Sequence, residues 1–218
     1  MTIQTRAAAT RQCIISAAVD LFCDRGYAET SLTDITGRAQ VTTGAFYYHF
    51  DSKEDLAKNL INEGWPKALA VIDQCLAAPA PGLENIIVMT YAVSALLKSD
   101  RSVWISNHLN QAFGQLSEEG RRGFEHRATV FADRMAATLL PNDLLPDVTP
   151  QQVGSMVWIT LHGCHLLSDA MTDSVSDRLS ESWPILLRGM VTAESLPYFQ
   201  QFVNRTAVRY QTQSTTAS

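Results

Sequence analysis

The sequence has 218 residues, of which 46 % are hydrophobic and 18 % are charged, so it can build a folded core and is not a disordered chain. Its formal net charge of −5 excludes a protein that wraps nucleic acid by general positive charge. The four cysteines show no Cys-x-x-Cys pairing, which favours free thiols in a reducing compartment. No apolar signal segment or membrane-spanning run is present, so we expect a cytoplasmic protein without a membrane partner.

Apolar residues follow a helical period through nearly the whole chain. Ile14, Ala18, Leu21 and Phe22 mark the buried face of a first helix over about residues 5–25. Helical patterns continue to residue 209 without strand alternation or an internal repeat, so the sequence predicts an all-α fold. We expect an N-terminal three-helix domain over 1–50, a C-terminal helical domain over 51–209 that opens with a long connecting helix, and a polar tail over 210–218.

Two short helices joined by a tight turn follow the first helix. Ser31, with Asp34 three positions on, is a capping signal that begins a helix ending near Arg38. Residues 39–42 then turn the chain into a third helix over 43–50. This arrangement is typical of a helix-turn-helix, whose second short helix enters the major groove of DNA.

The third helix has an inward face and an outward face. On a helical wheel Phe46 and Phe50 share one side, so Tyr48 points outward and Tyr47 lies on a flank. A tyrosine pair on an amphipathic helix is also common in packing and in protein interfaces. The surrounding helix-turn-helix favours DNA contact.

Charge is the objection to a DNA-binding surface here, because arginines and acidic residues balance through residue 50. Arg6 and Arg11 precede the recognition helix, and Lys53 and Lys58 follow it, so positive groups are expected to bracket the reading surface. Hydroxyl groups, a histidine ring and backbone N–H groups also bind phosphate without formal charge. With few cations, we expect a shallow dependence of DNA affinity on salt.

Four segments together resemble the TetR family of bacterial repressors: Gly26-Tyr27, the residues 30–35 (Thr-Ser-Leu-Thr-Asp-Ile), the residues 41–50 (Val-Thr-Thr-Gly-Ala-Phe-Tyr-Tyr-His-Phe) and the residues 52–56 (Ser-Lys-Glu-Asp-Leu). The resemblance implies a homodimer that binds double-stranded operator DNA and is released by a small-molecule inducer, with no cofactor. By position it implies phosphate contacts from Thr33, Tyr47, His49 and Lys53, and base-edge or backbone contacts from Thr42, Thr43, Gly44, Ala45 and Tyr48. The acid-free N-terminal arm adds an expected DNA contact from Arg6.

Two residues depart from the family pattern. Gln40 stands where the turn glycine is usual, so we expect roughly 1 kcal/mol of strain if its φ is positive. Thr43 replaces a common lysine, which removes a possible guanine contact, so the operator sequence cannot be inferred from relatives.

A second resemblance lies near the carboxy terminus. The residues 178–190 (Arg-Leu-Ser-Glu-Ser-Trp-Pro-Ile-Leu-Leu-Arg-Gly-Met), together with 45–50, are similar to the γ-butyrolactone receptor branch, whose members control antibiotic production and morphological development. That branch implies a γ-butyrolactone-like signal. Arg127 falls where the branch has a pocket tryptophan, which favours an alternative, a pseudo-receptor sensing an acidic end-product metabolite or antibiotic.

A few polar groups among aromatic residues suit a small amphipathic ligand. The candidates for this site are Trp104, His108, Gln111, Arg127, Phe131, Trp158, Thr160 and His162. Each has a plain structural interpretation: the tryptophans as core, Arg127 as a solvated helix residue, and His162 with His165 as core or interface histidines.

Neither metal binding nor catalysis has support in the sequence. No carboxylate or cysteine accompanies His162 and His165 at a local metal-ligand spacing, and no catalytic motif such as Gly-x-Ser-x-Gly occurs, so we expect no metal and no enzyme. A third possibility is a helical small-molecule-binding or interaction protein that no longer reads DNA.

Overall fold

The computed structural model describes residues 3–79, 82–140, 144–171 and 173–216, and these residues form ten α-helices and no strand, which confirms the all-α prediction. The helices are α1 (Ile3–Arg25), α2 (Leu32–Ala39), α3 (Thr43–Tyr47), α4 (Lys53–Leu76), α5 (Gly82–Ser99), α6 (Arg101–Leu116), α7 (Glu118–Thr138), α8 (Pro150–Met171), α9 (Val175–Arg188) and α10 (Leu196–Thr216). None of these helices combines the length and apolarity of a membrane span.

Two helix ends differ from the prediction. Helix α3 stops at Tyr47 instead of Phe50, because the N–H of His49 donates to the carbonyl of Phe46 in a tighter turn than the α-helix allows. Helix α10 runs to Thr216, so most of the predicted polar tail is helical. Its threonines do not break the helix, since Thr212 Oγ1 donates to the carbonyl of Val208 one turn back.

The chain divides into two compact units, each described below by itself. The first unit comprises Met1–Lys67 and Asp100–Gly120, and the second comprises Ala68–Ser99 and Arg121–Ser218. The predicted boundary at residue 50 divides the chain by function, into DNA-binding and ligand-binding parts, whereas these units are defined by compactness. The functional boundary therefore stays a prediction. Ala80 and Pro81 lie outside the described residues.

The first unit packs around one apolar cluster. The predicted inner face of α1 is buried, with Ile14, Ala18 and Phe22 at most 2 % exposed. Phe46 and Phe50 of the α3 region join this cluster, as do apolar residues of α4 and α6. The helix-turn-helix is therefore held from behind by aromatic packing.

In the second unit, α9 packs against α5 and α10, and Trp183 is fully buried between them. Its indole Nε1 donates to Thr90 Oγ1 at 3.1 Å, which satisfies the only polar atom of that side chain. Helix α8 approaches α7 closely at Gly154, where a Cβ atom would lie 2.5 Å from the carbonyl oxygen of Ala132. This close approach brings aromatic residues of α7 and α8 into contact.

Candidate functional site

The turn between α2 and α3 is built by two side-chain caps and one left-handed residue. Ser31 Oγ accepts from the N–H of Asp34, and the carboxylate of Asp34 accepts from the N–H of Ser31 at 2.9 Å, which is the predicted capping box. The Ser31 hydroxyl also donates to the Asp34 carboxylate, and this hydrogen bond, together with the one from the Ser31 N–H, lowers the pKa of the Asp34 carboxyl. Gln40 ends α2 with φ 53° and ψ 43°, so the positive φ that would strain this position is present.

Helix α3 presents an uncharged surface. Thr42 caps it by accepting from the N–H of Ala45 at 3.1 Å. Tyr47 is 55 % exposed and Tyr48 is 77 % exposed, whereas Phe46 and Phe50 are buried, so the predicted faces are confirmed. Thr42, Thr43 and Gly44 are also exposed, while Ala45 and His49 are partly buried. We call the exposed and partly buried residues of this surface the hydroxyl face. It consists of Thr33 of α2 together with Thr42, Thr43, Gly44, Ala45, Tyr47, Tyr48 and His49.

Lys53 is less available for DNA than the sequence suggested. Its ammonium donates to the carbonyls of Tyr27 at 2.9 Å and Thr30 at 2.8 Å, and it lies 4.2 Å from the centroid of the Tyr27 ring. Two of its three N–H donors are thereby used, and one can still reach a phosphate. Lys53 thus ties the start of α4 to the loop between α1 and α2.

The other expected cations also have partners inside the first unit. Arg11 donates to Asn59 at 2.7 Å and pairs with Glu63, and its guanidinium lies over the Phe50 ring. Lys58 pairs with Glu54 and Glu119. Arg11 and Lys58, which we expect to bracket the reading surface, thus each have an acidic partner within the first unit. Arg6 is exposed on the first turn of α1.

An aromatic cluster lies between α7 and α8 in the second unit. The ring of Trp158 is 5.0 Å from Phe131, 5.8 Å from Phe124 and 3.7 Å from His162, between centroids. Phe124 also meets His162 edge-on at 5.9 Å. We call Phe124, Phe131, Trp158 and His162 the α7–α8 cluster.

His162 is held in one tautomer. Its Nδ1 lies 3.1 Å from the carbonyl oxygen of Trp158, and since a carbonyl can only accept, Nδ1 carries the proton. Burial lowers the pKa of the imidazole to about 4, so the ring is neutral at pH 7. Its Nε2 is then a bare acceptor, and it is buried without a hydrogen-bond partner.

The structure brings together only part of the predicted ligand set. Phe131, Trp158 and His162 meet in the α7–α8 cluster. Arg127 lies on the same face of α7, three residues after Phe124, and its Nη1 donates to the carbonyl of Gly123. Burial lowers the pKa of this guanidinium. Thr160 lies roughly 200° around α8 from Trp158, so it does not join them.

The remaining candidates belong to the first unit. The rings of Trp104 and His108 stack at 3.6 Å on α6, and Trp104 packs against the apolar core of that unit. Gln111 follows on the same helix and is partly buried. Sequence reasoning missed Phe124 as a member of the cluster, although its spacing of seven from Phe131 places both rings on one face of α7.

Comparison with known proteins begins at the helix-turn-helix. Residues 14–60 match the family described as bacterial regulatory proteins, tetR family. The A-factor receptor protein of Streptomyces griseus is 43 % identical over 63 residues, which cover 29 % of this chain and 23 % of that protein. The matches to the first curated relatives thus span about a quarter of their length.

Solved structures match over nearly the full length. A γ-butyrolactone receptor described as ArpA-like is 26 % identical, with a TM-score of 0.76, and the match covers 94 % of this chain and 99 % of that one. CprB from Streptomyces coelicolor in complex with its operator is 26 % identical, with a TM-score of 0.71 over 93 % and 98 % of the two chains. Residues 14–60 are thus similar to the DNA-binding region of the tetR family, and nearly the full chain is similar in fold to solved γ-butyrolactone receptors.

Proposed function

We propose that this protein is a TetR-type transcriptional repressor in the cytoplasm, which binds operator DNA and leaves it when a small molecule binds its carboxy-terminal domain. The hydroxyl face carries the proposal. A helix whose buried side is fixed by Phe46 and Phe50, and whose exposed side offers only hydroxyls, backbone N–H groups and an imidazole, suits hydrogen bonding to phosphates and base edges. The chain acts by binding and not by catalysis.

The repressor works as a homodimer on a palindromic operator. Exposed apolar side chains form a stripe on α8, where Met156, Ile159, Leu166 and Leu167 recur at helical spacing, and Ile159 is 61 % exposed. Covering this stripe with a second copy removes apolar surface from water. The two recognition helices would then read half-sites about 34 to 36 Å apart.

The inducer is a γ-butyrolactone-like signal. This choice is supported by the relatives, one a receptor for A-factor by its name and one a γ-butyrolactone receptor. Release is a shift between two conformations, in which the ligand binds more tightly to the form whose recognition helices do not fit the half-sites.

A gel-shift assay on the DNA upstream of its own gene tests the repressor. The wild-type protein is expected to retard this DNA, and the double variant Tyr47→Phe/Tyr48→Phe is expected to bind it about tenfold more weakly, since two hydroxyl hydrogen bonds are lost while the rings remain. Tyr198→Phe, which removes a hydroxyl that donates to Glu84 in the second unit, is the control for the loss of a hydroxyl hydrogen bond outside the helix-turn-helix. A wild-type chain that binds no DNA specifically would favour the helical interaction protein instead.

Gly163 tests the dimer. It lies within the α8 stripe, four residues after Ile159 and three before Leu166, and a Cβ atom there would meet nothing within 4 Å. Gly163→Gln should therefore leave the protomer folded and even favour its helix, while it places a long polar side chain in the interface. Sedimentation velocity is expected to show monomers and the gel shift to fail; a dimer that persists contradicts this interface.

Arg127 favours a second candidate, a pseudo-receptor for an acidic metabolite. A partly buried guanidinium on the same face of α7 as Phe124 and Phe131 is suited to a carboxylate or acidic phenol. Release of operator DNA by acidic aromatic metabolites, lost in Arg127→Gln, supports this version. Release by nanomolar lactone alone, unchanged in Arg127→Gln, refutes it.

A further inference from the structure

One ring nitrogen in the second unit has no hydrogen-bond partner where a partner is expected. His162 Nε2 is buried, and among the described residues it is the only histidine nitrogen left in this state. Buried polar atoms are nearly always hydrogen-bonded in native proteins, and an orphaned one commonly marks the place of a ligand or an ordered water. A hydrogen-bond donor from a bound molecule would therefore satisfy this nitrogen.

The hydrogen-bonding role of this nitrogen is fixed by the helix that carries it. Nδ1 donates to the carbonyl of Trp158 on the preceding turn, at 3.1 Å, so it holds the ring proton. Nε2 is then restricted to accepting, for as long as the ring is neutral. The depressed pKa of about 4 keeps it neutral through the physiological range.

The surroundings of this acceptor are aromatic. One face of the imidazole lies against the Trp158 indole, and the Phe124 ring meets it edge-on, at an interplanar angle of 84°. Phe131 completes the cluster, with its ring 5.0 Å from that of Trp158 between centroids. An apolar aromatic wall with a single directed polar atom is the usual composition of a small-molecule site.

We propose that the α7–α8 cluster binds an effector with a flat, apolar body that carries a hydroxyl or N–H group, and that this group donates a hydrogen bond to His162 Nε2. The inference rests on the proposed ligand-released repressor and narrows its ligand. A lactone ring or a carboxylate offers only acceptors, so neither satisfies this nitrogen. A lactone signal needs a free hydroxyl to match the site, and an acidic metabolite needs a phenol, alcohol or amine N–H in addition to its acid.

A matched pair of probes tests this chemistry with the full-length protein. 1-Naphthol and 1-methoxynaphthalene share one ring system, but only the first can donate a hydrogen bond. In titration calorimetry we expect 1-naphthol to bind about tenfold more tightly, since the ether leaves Nε2 unsatisfied. In His162→Phe, which keeps an aromatic ring and removes the acceptor, this preference should vanish.

His108→Phe is the matched control. His108 lies four residues after Trp104, as His162 does after Trp158, and its Nδ1 makes the same contact to the tryptophan carbonyl, at 3.0 Å. The variant should retain the preference for 1-naphthol. Equal affinity of the two probes, binding of neither, or a preference that survives in His162→Phe overturns the inference.

A direct observation on the wild-type protein guards against misfolding of the variant. In ¹⁵N-histidine-labelled protein, the Nε2 resonance of His162 should be of the unprotonated type and should shift on addition of 1-naphthol but not of 1-methoxynaphthalene. A protonated Nε2 in the free protein at pH 7 overturns the inference. Gel shifts on the same samples separate the two proposals. A protein that binds 1-naphthol through His162 but does not bind operator DNA refutes the repressor proposal and leaves the ligand-site proposal standing.

Discussion

The pattern Trp-x-x-x-His occurs once in each unit, as Trp104–His108 on α6 and Trp158–His162 on α8. The two pairs have nearly the same local geometry: ring centroids 3.6 and 3.7 Å apart, and Nδ1 to carbonyl distances of 3.0 and 3.1 Å. Of the two, only His162 has an Nε2 that is buried without a partner, and burial lowers the pKa of the His162 imidazole to about 4. Helix spacing therefore sets the tautomer, and the tertiary environment sets the chemistry that remains.

The largest expected effect is on the pH dependence of stability. His162 has a folded pKa of about 4, below the ordinary value of 6.5, so the unfolded chain binds a proton first as the pH falls. Its stabilising contribution is complete above pH 6.5 and is lost between pH 6.5 and 4, by on the order of 3 kcal/mol. Relative to wild type, His162→Phe should gain that amount in unfolding free energy between pH 7 and pH 4, measured by urea denaturation.

The matching substitution His108→Phe sharpens this comparison. His108 belongs to the first unit, and its Nε2 is not a buried atom without a partner, so this variant removes a histidine of the same local geometry from a different environment. Equal pH dependence in the two variants would mean that the shared helix geometry, and not the environment, controls the imidazole.

In the first unit, by contrast, removing a polar group should lower the unfolding free energy, because the polar groups there have hydrogen-bond partners. Lys53 donates to the carbonyls of Tyr27 and Thr30, so its removal leaves two acceptors without a charged donor. Lys53→Met keeps the apolar stem over Tyr27 and should cost about 2 kcal/mol of unfolding free energy. Lys58→Met removes only exposed ion pairs with Glu54 and Glu119 and should cost much less.

Chemical denaturation at low ionic strength measures both lysine variants. Similar small losses would show that the Lys53 contacts contribute no more than surface pairs do. Operator affinity must be compared at a temperature where both variants are folded, since a loss of DNA binding in Lys53→Met otherwise reports stability and not a phosphate contact.

Local patterns predicted the helix-turn-helix well. The capping box at Ser31 and the inward pair Phe46 and Phe50 both follow from residues within a few positions of one another, and both were confirmed. The end of α3 was placed three residues too far, because a tighter turn satisfies the same backbone groups that another helical turn would.

Long-range partners were beyond local reasoning. Arg11 donates to Asn59 and Glu63, about fifty residues away along the chain. The sequence shows the positive charge of Arg11 but not which side chains it contacts. The assignment of Trp104 and Trp158 to different units has the same cause. Thr160 is a different kind of error, since a helical wheel alone separates it from Trp158 and His162.

The smallest expected effect concerns backbone strain in the first unit. Gln40 has φ 53° and Gly26 has φ +83°, so a non-glycine and a glycine occupy left-handed conformations in the same unit. Gln40→Gly should raise the unfolding free energy by about 1 kcal/mol, the steric relief being partly offset by the freer unfolded chain.

Gly26→Gln is the mirror substitution and should lower stability by about 1 kcal/mol, because a Cβ atom at Gly26 meets nothing within 4 Å and only the backbone conformation is at issue. Thermal unfolding of both variants measures the pair, and changes of the same sign would contradict the strain. Operator affinity is a second readout, because Gln40 is exposed beside the hydroxyl face. If Gln40→Gly is more stable but binds the operator less tightly, the Gln40 amide contacts the DNA. The backbone strain at Gln40 then accompanies a role in DNA binding.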